Sequence, residues 1–132
     1  MSAEVKTAPS SEALARRIAS VALDKKARDV VVLDMRDVVS YTDFLVIATG
    51  NTERQTHAIE DAVYLDLKHA EEGGRTPQRV EGRSEGRWIL MDYLDAVVHI
   101  FTPAAREYYR LETLWGEVPE LEVEDAEEAE SA

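Results

Sequence analysis

Residues 44–55 read Phe44-Leu45-Val46-Ile47-Ala48-Thr49-Gly50-Asn51-Thr52-Glu53-Arg54-Gln55, and they join two kinds of structure. Phe44 to Ala48 is apolar throughout, which predicts a strand covered on both faces rather than one with a wet side. Gly50-Asn51 is a turn signal. Thr52 and Gln55 match the capping box, in which each side chain satisfies a backbone N–H of the opening helical turn. Ile59, Ala62, Val63, Leu67 and Ala70 then follow at helical spacing until Gly73-Gly74. A buried strand feeding a capped helix predicts a layered domain in which helices pack on a sheet.

The flanking segments extend that unit. Ser10 can cap a helix over 11–27, with Leu14, Ile18, Val21 and Ala22 on its apolar side. Val30-Val31-Val32-Leu33 reads as a strand, and Arg79-Val80-Glu81 as a brief edge strand. Residues 88–93 and 96–101 flank Leu94-Asp95 and predict an antiparallel hairpin. Thr102 caps a last helix with Pro103 at its first position, and Tyr108, Leu111, Leu114 and Trp115 are expected to anchor it. The fold class is α/β (α+β): one domain with a mixed sheet of about five strands and flanking helices.

Composition narrows the function classes. The 132 residues include 45% hydrophobic and 32% charged side chains, enough for one ordinary core. No apolar run approaches the ~20 residues of a membrane span, and no signal peptide is expected. Cysteine is absent, which excludes disulfides and thiolate sites and is compatible with a reducing cytosol. The formal charge is −12, and eight of the acids lie after residue 116, leaving −4 on residues 1–116. Such a chain is a poor ligand for phosphate backbones and is drawn instead to basic partners. Residues 117–132 are expected to be a disordered acidic tail, 1–9 a loose arm, and 10–116 the folded domain.

Catalytic chemistry finds little support. Gly50-Asn51-Thr52 could hold an anion at a helix N-terminus, yet the phosphate-loop Lys and the GxGxxG pattern are missing, and a plain turn with a cap explains it. His57 and Asp61 lie one helical turn apart without an evident third metal ligand. Glu60 and Asp61 read as a solvated helix face. Asp92 and Asp95 could hold a divalent cation or simply serve the hairpin turn. No Ser-His-Asp arrangement can be assigned. What stands out is a surface: Trp88, Tyr93, Tyr108, Tyr109 and Trp115, with Arg87, Arg106 and Arg110, are the residue types of binding hot spots. Strand alternation puts Trp88, Leu90 and Asp92 on one face and Ile89, Met91 and Tyr93 on the other. One of these faces should meet the helices and the other stay partly open.

Tyr41-Thr42-Asp43-Phe44-Leu45-Val46-Ile47-Ala48-Thr49-Gly50-Asn51, Arg54-Gln55-Thr56-His57-Ala58-Ile59, Glu81-Gly82, and the blocks 88–93, 95–101, 106–109 and 111–115 occur in an order that closely resembles the ribosomal silencing factor (RsfS, or Iojap) family over residues 11–119. The resemblance implies a translation regulator and not an enzyme. It implies binding to the large ribosomal subunit through its protein numbered fourteen, and a steric block to subunit joining when nutrients are scarce, in the bacterial cytoplasm. It further implies a sheet-and-helix fold similar to the nucleotidyltransferase superfamily. No strand-borne Asp-x-Asp follows Gly50-Asn51, so that catalytic signature does not carry over, and Asp92 and Asp95 do not replace it. Carried onto this sequence, the contact falls on Trp88 and Tyr93 as anchors, Asp92 and Asp95 facing basic groups, and Arg106 and Tyr109 on the closing helix. No cofactor, metal, membrane or sequence-specific nucleic acid is expected. The competing readings are a nucleotide-binding or nucleotidyltransferase-like enzyme, and a homodimer formed through the hairpin edge and aromatic face.

Overall fold

The computed structural model describes residues 10–71 and 73–123. Helix α1 (Ser11–Asp24) opens with the Ser10 side chain accepting from the Ala13 N–H at 3.1 Å, and buries Leu14, Ala15, Ile18, Ala19 and Ala22 along one stripe. It stops three residues before the expected 27. Lys26 takes a left-handed conformation (φ 68°), so that its N–H and that of Ala27 return to the carbonyls of Leu23 and Ala22. This is a Schellman ending built on lysine where glycine is usual. Strand β1 (Arg28–Asp34) follows, with a bulge at Asp29 (φ 51°) that shifts its register between Arg28 and Val31.

Strand β2 (Phe44–Thr49) is buried along its whole length. Phe44, Val46 and Ala48 enter one apolar cluster and Leu45 and Ile47 another, as its unbroken apolar sequence requires. Helix α2 (Glu53–Lys68) starts with the Thr52 side chain accepting from the Gln55 N–H at 3.1 Å, while the Gln55 side-chain Oε1 accepts from Asn51 N–H at 2.7 Å. The Gln55 amide also donates to the carbonyls of Lys25 and Lys26, tying the start of α2 to the end of α1. The turn 50–52 is thus a capped connection, and His69 closes the helix ahead of Gly73-Gly74.

Strands β3 (Arg79–Glu81), β4 (Trp88–Asp92) and β5 (Ala96–Phe101) complete the expected hairpin and its edge. Gly82, at φ +80°, lets the β3–β4 turn pass beneath the next strand, because a Cβ there would lie 1.9 Å from the Trp88 carbonyl oxygen. Helices α3 (Pro103–Tyr109) and α4 (Leu111–Leu114) replace the single closing helix, since Arg110 adopts φ 49° and breaks it. Tyr108 and Leu114 consequently stay exposed rather than anchoring, whereas Leu111 and Trp115 do pack on the sheet. Strand β6 (Glu120–Leu121) pairs with β1, so the start of the segment read as an acidic tail joins the sheet. The rest of that segment, from 124, and the arm 1–9 lie outside the described residues.

The sheet is mixed, with order β3-β4-β5-β2-β1-β6; β2 and β5 are parallel and the other neighbours antiparallel. It has six strands where about five were expected, the extra one being β6. Helices α1 and α2 cover one face with Ile18, Ile59, Val63, Ile89, Met91 and Ile100 between the layers. The other face is covered more thinly, by α3, α4 and the β1–β2 connection through Ala105, Leu111, Trp115, Met35 and Val39. Each fully buried aliphatic side chain contributes roughly 1.5–3 kcal/mol. No helix among the described residues is long and apolar enough to cross a membrane.

Candidate functional site

Strand alternation divides β4 as its sequence predicts. Ile89 and Met91 are buried under the helices, while Trp88, Leu90 and Asp92 lie half-buried on the opposite face. Antiparallel pairing sets Arg79 opposite Asp92 and Glu81 opposite Leu90, so these four share that face at the outer edge of the sheet. Arg79 and Glu81 are exposed, and this end of the face reaches solvent.

Trp88 organises the centre. It sits opposite Phe101, with ring centroids 5.1 Å apart, and Tyr109 at the end of α3 approaches it at 4.5 Å. Its indole Nε1–H donates to His99 Nδ1 at 3.0 Å. Tyr108 meets Tyr109 edge-on and is 80% exposed. Between β4 and α3 these rings wall a cleft of about 540 Å³, with Glu85 and Arg87 at its rim. Aromatic rings of this kind supply large contact area at small entropic cost, so the surface suits a macromolecular partner.

His99 is buried, and burial lowers its pKa to about 4, leaving the imidazole neutral with a lone pair for Trp88. A folded-state value below the unfolded 6.5 means that acid favours the unfolded chain, which takes up the proton first. The His99 contribution is complete above pH 6.5 and is lost as the pH falls toward 4. The unfolding free energy should therefore drop by about 2 kcal/mol between pH 7.5 and pH 5 through this residue. Urea unfolding across that range checks it, with His99→Gln expected to flatten the slope.

The other expected site residues separate. Tyr109 is half-exposed beside Trp88. Asp95 is exposed at the hairpin tip, 3.8 Å from Arg75, and its backbone carbonyl accepts from the N–H groups of Asp43 and Phe44. Asp92 serves the turn, accepting from Leu94 N–H at 2.8 Å, and lies 3.8 Å from Arg79. Tyr93 is 2% exposed and belongs to the core under the helices, so its ring is not available as the anchor its residue type suggested. Burial raises the pKa of its hydroxyl, which has no hydrogen-bond partner among the described residues. Tyr93→Phe should consequently leave stability unchanged or raise it by up to about 1 kcal/mol, as thermal unfolding would report. Arg106 is structural too: its side chain is 12% exposed, bound to both oxygens of Glu112 and donating to Asp29 O and Thr49 Oγ1.

The helix α2 cluster also departs from expectation. Glu60 is 4% exposed rather than solvated, with Arg83 Nε 3.1 Å from its carboxylate. Burial raises its pKa, and Arg83 opposes that shift. Asp61 is exposed and pairs with Arg83 as well, while His57 Nε2 bonds to the Arg83 carbonyl. These contacts clip the β3–β4 turn to α2. Among the described residues no group of three or more His, Cys, Asp or Glu could hold a metal ion.

The family model described as "Ribosomal silencing factor during starvation" (RsfS) matches residues 8–132. A protein of Halalkalibacterium halodurans named ribosomal silencing factor RsfS is 44% identical over 101 residues, covering 76% of this chain and 84% of its own. A Mus musculus protein named mitochondrial assembly of ribosomal large subunit protein 1 is 31% identical over 98 residues, covering 74% of this chain and 43% of its own. The crystal structure of a Chromobacterium violaceum protein superposes with a TM-score of 0.75 at 35% identity, over 89% of this chain and 97% of that one. The chain belongs to the ribosomal silencing factor family, RsfS.

Proposed function

We propose that this chain represses translation by binding the large ribosomal subunit through its protein numbered fourteen and sterically blocking the small subunit. The observation that carries this reading is the half-buried Trp88, flanked by Tyr109 and exposed Tyr108 beside a cleft, on a chain of formal charge −12. An acidic protein is repelled by bare ribosomal RNA, so it needs a basic protein surface on which to dock. The aromatic rings supply contact area, Glu81 supplies exposed negative charge on the same face, and Asp95 adds an exposed carboxylate at the hairpin tip, the other end of β4 from Trp88. Occlusion requires no turnover, cofactor or metal, and it would operate in the cytoplasm.

The test is direct binding to purified protein fourteen across a salt series. Binding that weakens with added salt, and weakens further with Asp95→Lys, supports an acidic contact. Asp95 is preferred to Asp92 for this purpose because it does not cap the hairpin turn. Undiminished binding by the folded Asp95→Lys protein would remove this carboxylate from the contact. Failure of the unmodified protein to bind at any salt would contradict the proposed partner.

A further inference from the structure

We infer that His99 is a positioning residue for docking: its Nδ1 fixes the orientation of the Trp88 indole, and so presents that ring ready-set to the partner. The inference rests on the reading of Trp88 as a docking residue. Trp88 stands at the first position of β4, opposite Phe101, while His99 lies two residues back along β5, opposite Leu90. The indole reaches diagonally across the pair to place Nε1–H 3.0 Å from His99 Nδ1. The His99 and Phe101 rings are close to parallel at 12°, and the Trp88 ring centroid lies 5.9 Å from His99 and 5.1 Å from Phe101. One hydrogen bond and one stacked ring therefore select a single indole orientation.

The arrangement demands a particular chemical form of His99. Only a neutral ring carrying its proton on Nε2 leaves the Nδ1 lone pair for the indole. Burial of His99, at 7% exposure among apolar neighbours, disfavours the charged form and keeps that acceptor throughout the neutral pH range. Trp115 provides an internal contrast, since its buried Nε1 has no hydrogen-bond partner among the described residues. A partner meeting a pre-set Trp88 does not have to immobilise that side chain, which is worth on the order of tenfold in affinity.

The test combines NMR and subunit binding on the full chain. Long-range ¹H–¹⁵N spectra of the unmodified protein at pH 7 should show His99 as the Nε2–H tautomer, with the Trp88 indole proton downfield of that of Trp115. An Nδ1–H tautomer would overturn the inference without any variant. His99→Phe keeps a buried ring but no acceptor; the Trp88 indole resonance should move upfield and large-subunit affinity should fall about tenfold. His99→Asn places an amide oxygen where Nδ1 stood and should recover most of both signals. An unmoved indole resonance in a folded His99→Phe protein, or equal loss in both variants, would reduce His99 to a packing role. If Trp88→Ala leaves subunit binding intact, the docking reading fails, yet the tautomer and indole resonances still decide whether His99 orients Trp88.

Discussion

Arg106→Ala is expected to lower the unfolding free energy by about 2 kcal/mol. Arg106 holds three elements together from α3. Its Nε and Nη2 bind the two carboxylate oxygens of Glu112 at 3.0 and 2.7 Å, bridging the break at Arg110. Its Nη1 donates to Asp29 O at 2.6 Å and Thr49 Oγ1 at 2.8 Å, securing the β1 bulge and the end of β2. Truncation would leave the half-buried Glu112 carboxylate unpaired and the buried Thr49 hydroxyl short of a donor, at about 1–3 kcal/mol for a buried group left unsatisfied, while the exposed Asp29 carbonyl can turn to water. Lysine should rescue little, because an ammonium cannot reproduce the planar fork. The Arg106 side chain holds the Glu112 carboxyl below its usual 4.5, so this contribution is present above that pH and is lost in stronger acid. The stability gap between the two proteins should accordingly narrow below about pH 4.5. Urea unfolding at pH 7 and pH 3.5 measures both effects.

Trp88→Ala should weaken binding to the large subunit by about thirtyfold or more, the loss typical of an aromatic hot spot. The indole contacts Phe101, Tyr109 and His99, so the substitution removes contact area and releases Tyr109 as well. Some stability is lost too, since part of the ring is buried. Tyr109→Ala separates the effects: Tyr109 is 50% exposed on the last turn of α3, and its removal should weaken docking while barely changing the melting temperature. Titration of each variant against isolated large subunits, with circular dichroism as the folding control, gives both quantities. Full affinity in both variants would move the contact away from this face.

Features set by local chemistry were legible in the sequence. The run from Phe44 to Ala48, the Thr52 and Gln55 caps, and the alternation of β4 depend on neighbours within a few residues, and each appears where its pattern places it. Alternation grouped Tyr93 with Ile89 and Met91 but left open which face the helices cover; the packing of α1 and α2 on that side is what buries it, although its residue type suggested an anchor. Glu60 is similar, because Thr56, Glu60, Val63 and Leu67 follow one helical stripe and all are buried. Its carboxylate looked solvated only because the pairing Arg83 lies on a distant turn.

Other features depend on tertiary partners. Lys26 and Arg110 end helices in left-handed conformations that a sequence reading reserves for glycine. Arg106 has the residue type of an interface, and only the approach of Asp29, Thr49 and Glu112 makes it structural. Strand β6 exists because two residues find the free edge of β1. The Trp88–His99 bond likewise joins residues from two strands, and the register of the hairpin alone brings them together.

Gradient sedimentation of large and small ribosomal subunits, mixed with and without the full-length protein, tests occlusion most directly. The protein should co-migrate with the large subunit and reduce the joined-ribosome peak in proportion to its occupancy, while Trp88→Ala at equal concentration leaves that peak intact. An undiminished joined peak with the protein bound to large subunits would contradict the steric block.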